Sequence, residues 1–104
     1  GAELYEAAAR AYVDEGFEGE EHKHHQGGAT GYRTRDWVAH PSSEERVQLN
    51  QAFAWNPSVT GTKVEDTVIV LGDEIEVITR TPDWPHIAVS ARGREYLSPD
   101  VLSL

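Results

Sequence analysis

Residues 49–81, LNQAFAWNPSVTGTKVEDTVIVLGDEIEVITRT, decide the fold class. Three runs rich in β-branched and aromatic residues, LNQAFAWN, KVEDTVIVL and EIEVITRT, are set apart by Pro57 with its polar neighbours and by Gly72-Asp73. Runs of this kind bounded by turn residues predict strands. Gly72-Asp73 further predicts a tight hairpin between the last two. Ahead of them, AELYEAAARAYVDE (residues 2–15) is rich in Ala, Glu and Arg and places Leu4, Ala8, Ala11 and Tyr12 at helical spacing, which predicts a helix. Gly16 is then the expected left-handed residue past its end, with Phe17 folding back on the last turn. GYRTRDWV (31–38) reads as a short strand and HPSSEERVQLN (40–50) as a surface loop. The segment from Pro82 to Leu104 has too many breakers for a long element. The expected class is α+β, an N-terminal helix packed on a mostly antiparallel sheet.

A chain of 104 residues suffices for one modest core, so a single domain, 1–104, is expected. Hydrophobic residues at 38% and charged residues at 26% are globular proportions rather than those of a disordered chain. Eighteen acidic against nine basic residues give a formal charge of −9, which argues against nucleic acid or an anionic membrane as partner. The absence of cysteine removes disulfides and thiolate zinc sites. No apolar run nears the roughly 18 residues of a membrane span and no signal segment opens the chain, so a soluble, cytoplasmic protein is expected.

The stretch HHQGGATGYRTRDW (24–37) follows EHK and sets histidines beside a glycine pair. His22 and His24 would share one face of an extended segment and form a usable pair for zinc, with His25, His40, Glu65 or Asp66 as third ligand. The alternative is a solvated histidine cluster. Gly27, Gly28 and Gly31 imply a backbone that turns sharply or approaches something closely. Glu65 and Asp66 fall in an apolar run, with Val64, Val68 and Val70 on one face and Thr67, Ile69 and Leu71 on the other. An acid held there needs a cation, a metal or hydrogen-bond donors; otherwise the strand end frays and both acids are wet. GGATGY has neither the spacing nor the context of a Rossmann or P-loop fingerprint. There is no Gly-x-Ser-x-Gly elbow and no cysteine nucleophile, so covalent acyl transfer is not expected.

Taken in order, the helix, the His-Gly segment, NQAFAWNP and VEDTVIV followed by a turn and EVIT make the chain resemble the C-terminal half of the pita-bread family of methionine and Xaa-Pro aminopeptidases, prolidase and creatinase. The resemblance implies a C-terminal portion of a longer catalytic-type domain in an aminopeptidase, prolidase or creatinase-like hydrolase. In the metal-dependent members this half supplies one histidine and two glutamates, and two aspartates come from the preceding half. Matching Gly27 to Gly31 with the family's Gly-His-Gly-x-Gly puts the ligand histidine on Gly28 and aligns His24 with a histidine some members carry four residues earlier. Arg35 then replaces a substrate-side histidine, the first glutamate becomes Asn56, and Glu65 is retained. A second register puts His25 at the ligand position.

What the resemblance implies is a degenerate metal site. His24, His25 and Glu65 are the candidate catalytic residues, Arg35 and Asn56 the candidate substrate contacts, and no cofactor is expected. The second register would instead give a divalent Mn, Co or Zn ion held by His25 and Glu65. The expected partners are the N-terminal half of the same protein, further copies of the chain, and a peptide or small-molecule substrate. This fragment alone is expected to be inactive. A non-catalytic binding or regulatory domain that keeps the fold is the alternative function.

Overall fold

The computed structural model describes residues 1–103. Helix α1 spans Ala2–Asp14 and closes as the sequence predicts. Gly16 takes φ 84°, its N–H donates to the Val13 carbonyl (3.1 Å), and the Phe17 N–H donates to the Tyr12 carbonyl (2.8 Å). These two bonds satisfy carbonyls that a helix end otherwise leaves open. A single 3-10 turn, Glu20–His22, follows.

The strands, in chain order, are β1 (Gly27–Thr30), β2 (Trp37–Val38), β3 (Ala52–Trp55), β4 (Ser58–Val59), β5 (Thr62–Lys63), β6 (Asp66–Leu71), β7 (Glu74–Val77), β8 (His86–Ala91) and β9 (Arg94–Pro99). Five of them form one antiparallel sheet in the order β2-β1-β3-β6-β7, while β4–β5 and β8–β9 are separate hairpins. The architecture is therefore α+β, with one N-terminal helix and a mostly antiparallel sheet.

Register explains the core. Trp37, Ala29, Phe53, Val68 and Val77 lie opposite one another across all five strands. Because side chains alternate faces along a strand, this row shares its face with Trp55 and Val70 two residues away. Phe53, 2% exposed, is the centre. Trp37 meets it edge-on at 5.4 Å and Trp55 stacks on it at 6.2 Å. Leu4 of α1 packs against the same cluster. Burying a phenylalanine in such a site stabilises the fold by about 1.5–3 kcal/mol. Among the described residues, however, the buried apolar side chains are six: Tyr12, Ala29, Ala39, Phe53, Ala54 and Val68. A compact monomer of this mass would expose about 5,800 Å², and this chain exposes 7544 Å².

Four segments differ from the sequence reading. Gly27–Thr30, whose glycines implied a sharp turn or a close approach, is strand β1, and residues 58–63 form the β4–β5 hairpin. GYRTRDWV is a strand only at Trp37–Val38. Its earlier backbone groups are taken up locally, as the Gly31 N–H donates to the Arg33 carbonyl (3.1 Å) and the Thr30 hydroxyl to the Thr34 carbonyl (2.8 Å). The C-terminal region carries a regular hairpin, β8–β9, where no long element was expected. Its breakers bound the strands instead of interrupting them. Pro85 precedes β8, Pro99 ends β9, and Arg92-Gly93 forms the two-residue turn with φ 49° and 75°, both positive as a type I′ turn requires. The expected lack of a long element also extended to Leu104, which lies outside the described residues. Among those residues, no helix is long and apolar enough to cross a membrane.

Candidate functional site

Strand pairing sets two polar residues side by side. Trp55, at the end of β3, pairs with Asp66, at the start of β6, so the next residue on one strand, Asn56, neighbours the preceding residue on the other, Glu65. The Asn56 N–H donates to the Gln26 carbonyl (2.7 Å), which ties the same point to the segment ahead of β1.

Arg35, from the turn before β2, reaches both. One guanidinium nitrogen donates to Asn56 Oδ1 (3.2 Å) and lies 3.6 Å from Glu65 Oε1, while Lys63 Nζ lies 3.4 Å from the other Glu65 oxygen. Asn56 donates its amide hydrogen to the His25 carbonyl (3.2 Å). That carbonyl also lies 2.6 Å from His24 Nδ1, and His24 Nε2 is hydrogen-bonded to Ser58 Oγ. Glu65, Arg35, Asn56, the His25 carbonyl, His24 and Ser58 thus form one unbroken chain of polar contacts.

Its electrostatics follow from donors and acceptors. A carbonyl can only accept, so His24 Nδ1 carries the proton in the neutral ring, and Nε2 presents a lone pair to the Ser58 hydroxyl. The Arg35 side chain is 14% exposed against 48% for Glu65, so the guanidinium is the more desolvated partner and depends on Glu65 and Asn56 for compensation. Among the described residues, Arg35 Nε is buried without a hydrogen-bond partner.

A buried polar frame supports this arrangement. The Tyr12 hydroxyl donates toward Gln26 Oε1 (2.6 Å) and the Ser58 carbonyl (2.9 Å) and accepts the Ser58 N–H (2.8 Å). Gln26, 1% exposed, donates to the Glu21 and His24 carbonyls at 3.1 Å each. Beside it, Lys23 binds Glu20 at 2.9 Å and the Thr60 N–H donates to the same carboxylate at 3.1 Å. The Lys23 hydrogen bond, then those from Thr60, hold the Glu20 carboxyl below its ordinary pKa against the opposing effect of burial. Tyr12, Gln26 and Ser58 were not singled out from the sequence. Tyr12 was legible as an inward-facing helix residue, but nothing in the spacing tied it to the other two.

His22 lies in the 3-10 turn rather than on an extended strand, and its ring meets Glu21 (3.4 Å) while His24 meets Ser58, so the two rings do not act as a pair. His25 is exposed and enters the chain of contacts through its backbone carbonyl. The His40 ring accepts the Ser42 N–H. Glu65 lies just before β6 instead of inside it. Asp66 opens the strand and accepts the Thr79 hydroxyl (2.7 Å), so both acids are partnered at the strand's edge. Gly28 pairs with Ala54, two residues inward from Asn56, and so does not join Asn56 and Glu65 at the strand heads.

The donor set of this chain does not fit the metal ions that the resemblance implies. A Cβ on Gly28 would overlap the Trp37 carbonyl oxygen and lie 2.8 Å from Val38 Cα, so this position has no room for a ligand side chain. Asn56 offers a neutral oxygen already bonded to Arg35, Glu65 is engaged by two cations, and both His24 nitrogens are in use. Among the described residues, no group of three or more His, Asp or Glu side chains is placed to hold a metal ion.

Three cavities border the chain of contacts, one of them, of about 340 Å³, lined by Tyr12, Phe17, Ser58 and Val64. Glu65 and Asp66 edge one of about 180 Å³ with Arg80, Trp84 and His86, and His24 and Ser58 line a cleft of about 410 Å³ with Lys23, Lys63 and the β4–β5 turn. Comparison of the chain with family models, with characterised proteins and with solved structures gives no significant match.

Proposed function

We propose that the chain is the C-terminal portion of a pita-bread-type hydrolase of the aminopeptidase, prolidase or creatinase kind, working without a metal in this half of its site. The observation that carries this reading is the single chain of contacts joining His24, the His25 carbonyl, Arg35, Asn56 and Glu65. In it the Arg35 guanidinium neutralises the retained glutamate where the metal-dependent members use ions. His24 is the acid/base in this reading, since its ring can hold or release a proton at Nε2 while the carbonyl fixes its orientation. His25 drops to a backbone role. The small core and surplus surface are in keeping with a second half of the domain that covers the sheet.

The test uses the longer parent chain with Xaa-Pro dipeptides and creatine as substrates. Hydrolysis of a C–N bond that persists with a chelator and falls at least about 100-fold in His24→Asn is expected. Turnover abolished by the chelator would contradict the metal-free reading. No turnover at all would favour the second reading, a non-catalytic binding or regulatory domain, which is supported by the fact that Arg35, Lys63 and Glu65 already satisfy one another.

A further inference from the structure

Ser58 stands at the start of β4 with its hydroxyl against His24 Nε2. Its backbone is fixed on both sides, N–H and carbonyl alike, by the Tyr12 hydroxyl. Its side chain has the His24 ring as its hydrogen-bond partner. The ring is oriented by its other nitrogen, which donates to the His25 carbonyl, and that carbonyl is held in turn by Asn56. A hydroxyl facing an unprotonated imidazole nitrogen, with the opposite nitrogen anchored by an acceptor, is the arrangement that activates a serine as a nucleophile. The pair opens onto a cleft of about 410 Å³, large enough for a small acyl group, which Glu20, Lys23 and Lys63 also line. Neither the sequence spacing nor the hydrolase reading above calls for this pairing.

We propose that Ser58 and His24 form a nucleophile and general-base pair that accepts acyl groups from small activated esters, an activity that does not depend on a pita-bread origin. Ser58 Oγ bonds to the ester carbonyl carbon as its proton passes to His24 Nε2. The carbon–oxygen bond to the alcohol breaks, and His24 returns the proton to the departing oxygen. Water then attacks the acyl-serine, giving one proton to His24, which restores the Ser58 hydroxyl as the carboxylic acid leaves. His24 is held in place by Asn56 through the His25 carbonyl, which makes Asn56 a positioning residue.

The experiment treats the chain with a fluorophosphonate reporter, in which Ser58 Oγ would displace fluoride from phosphorus, and reads the product by intact mass and peptide mapping. Hydrolysis of 4-nitrophenyl acetate is followed in parallel. One adduct per chain, mapped to Ser58, is expected, with labelling and ester turnover abolished in Ser58→Ala and slowed at least about 100-fold in His24→Asn. No adduct on the folded wild-type chain, an adduct mapped to another residue, or wild-type labelling of His24→Asn each overturns the proposal. The readouts are an acyl-serine adduct and ester turnover, not C–N cleavage, so failure here and failure of the hydrolase reading are told apart.

Discussion

Asn56 shows why one residue type suits this site. It accepts from Arg35 on one side and donates to the His25 carbonyl on the other, which a carboxamide does at once and a carboxylate cannot. An aspartate would attract Arg35 more strongly but set an oxygen against a carbonyl. Asn56→Ala leaves a largely buried guanidinium short of an acceptor and a carbonyl short of a donor, and is expected to cost about 1–3 kcal/mol in urea unfolding. A loss below about 0.5 kcal/mol would show that water replaces the amide freely. Glu65 was legible as an acid in an apolar run and His24 as part of a histidine cluster, whereas Arg35 and Asn56 were reached only through the resemblance. Ser58 was not legible. A serine after a proline has no spacing signature, and its histidine lies 34 positions earlier in the chain.

At the scale of elements, the β4–β5 hairpin is secured to the 3-10 turn through Glu20, Lys23 and Thr60. The depressed Glu20 carboxyl makes this clamp pH-dependent, with a definite sign. A carboxyl whose folded pKa lies below its ordinary value of 4.5 contributes its stability in full above that value and loses it as pH falls through the lower, folded one. Urea midpoints of wild type and Glu20→Gln should therefore differ at neutral pH and converge in acid. A gap unchanged down to about pH 2 would contradict the assignment. The helix, strands β3 and β6 and the Gly72-Asp73 hairpin were readable because apolar periodicity and turn residues agreed there, whereas β1 was hidden because its Gly27-Gly28 pair reads as a turn. The β4–β5 hairpin was hidden by its two-residue strands, whose residues alternate too briefly to register. The β8–β9 hairpin was hidden because prolines at strand boundaries look, in sequence, like prolines within strands.

On the scale of the whole molecule, the chain exposes more surface than its mass warrants, and Val13, Phe17, Ile75 and Ile78 are each at least 41% exposed. β2 and β7 also leave the sheet with two unpaired edges. Light scattering at about 0.1 mM should find dimers or larger species, since that concentration populates even a modest interface; a clean monomer would count against this. At the head of β6 the Arg35 guanidinium lies beside Glu65, and in the function proposed above it takes the place of a metal ion. Gly28 has no room for a ligand side chain, and Asn56 contributes no charge. The most direct measurement is elemental analysis of wild-type and Glu65→Gln protein purified without added metal. The account predicts zinc, manganese and cobalt far below one equivalent per chain in both. One or more equivalents in the wild type, lost in Glu65→Gln, would show that a metal ion and not Arg35 holds that carboxylate.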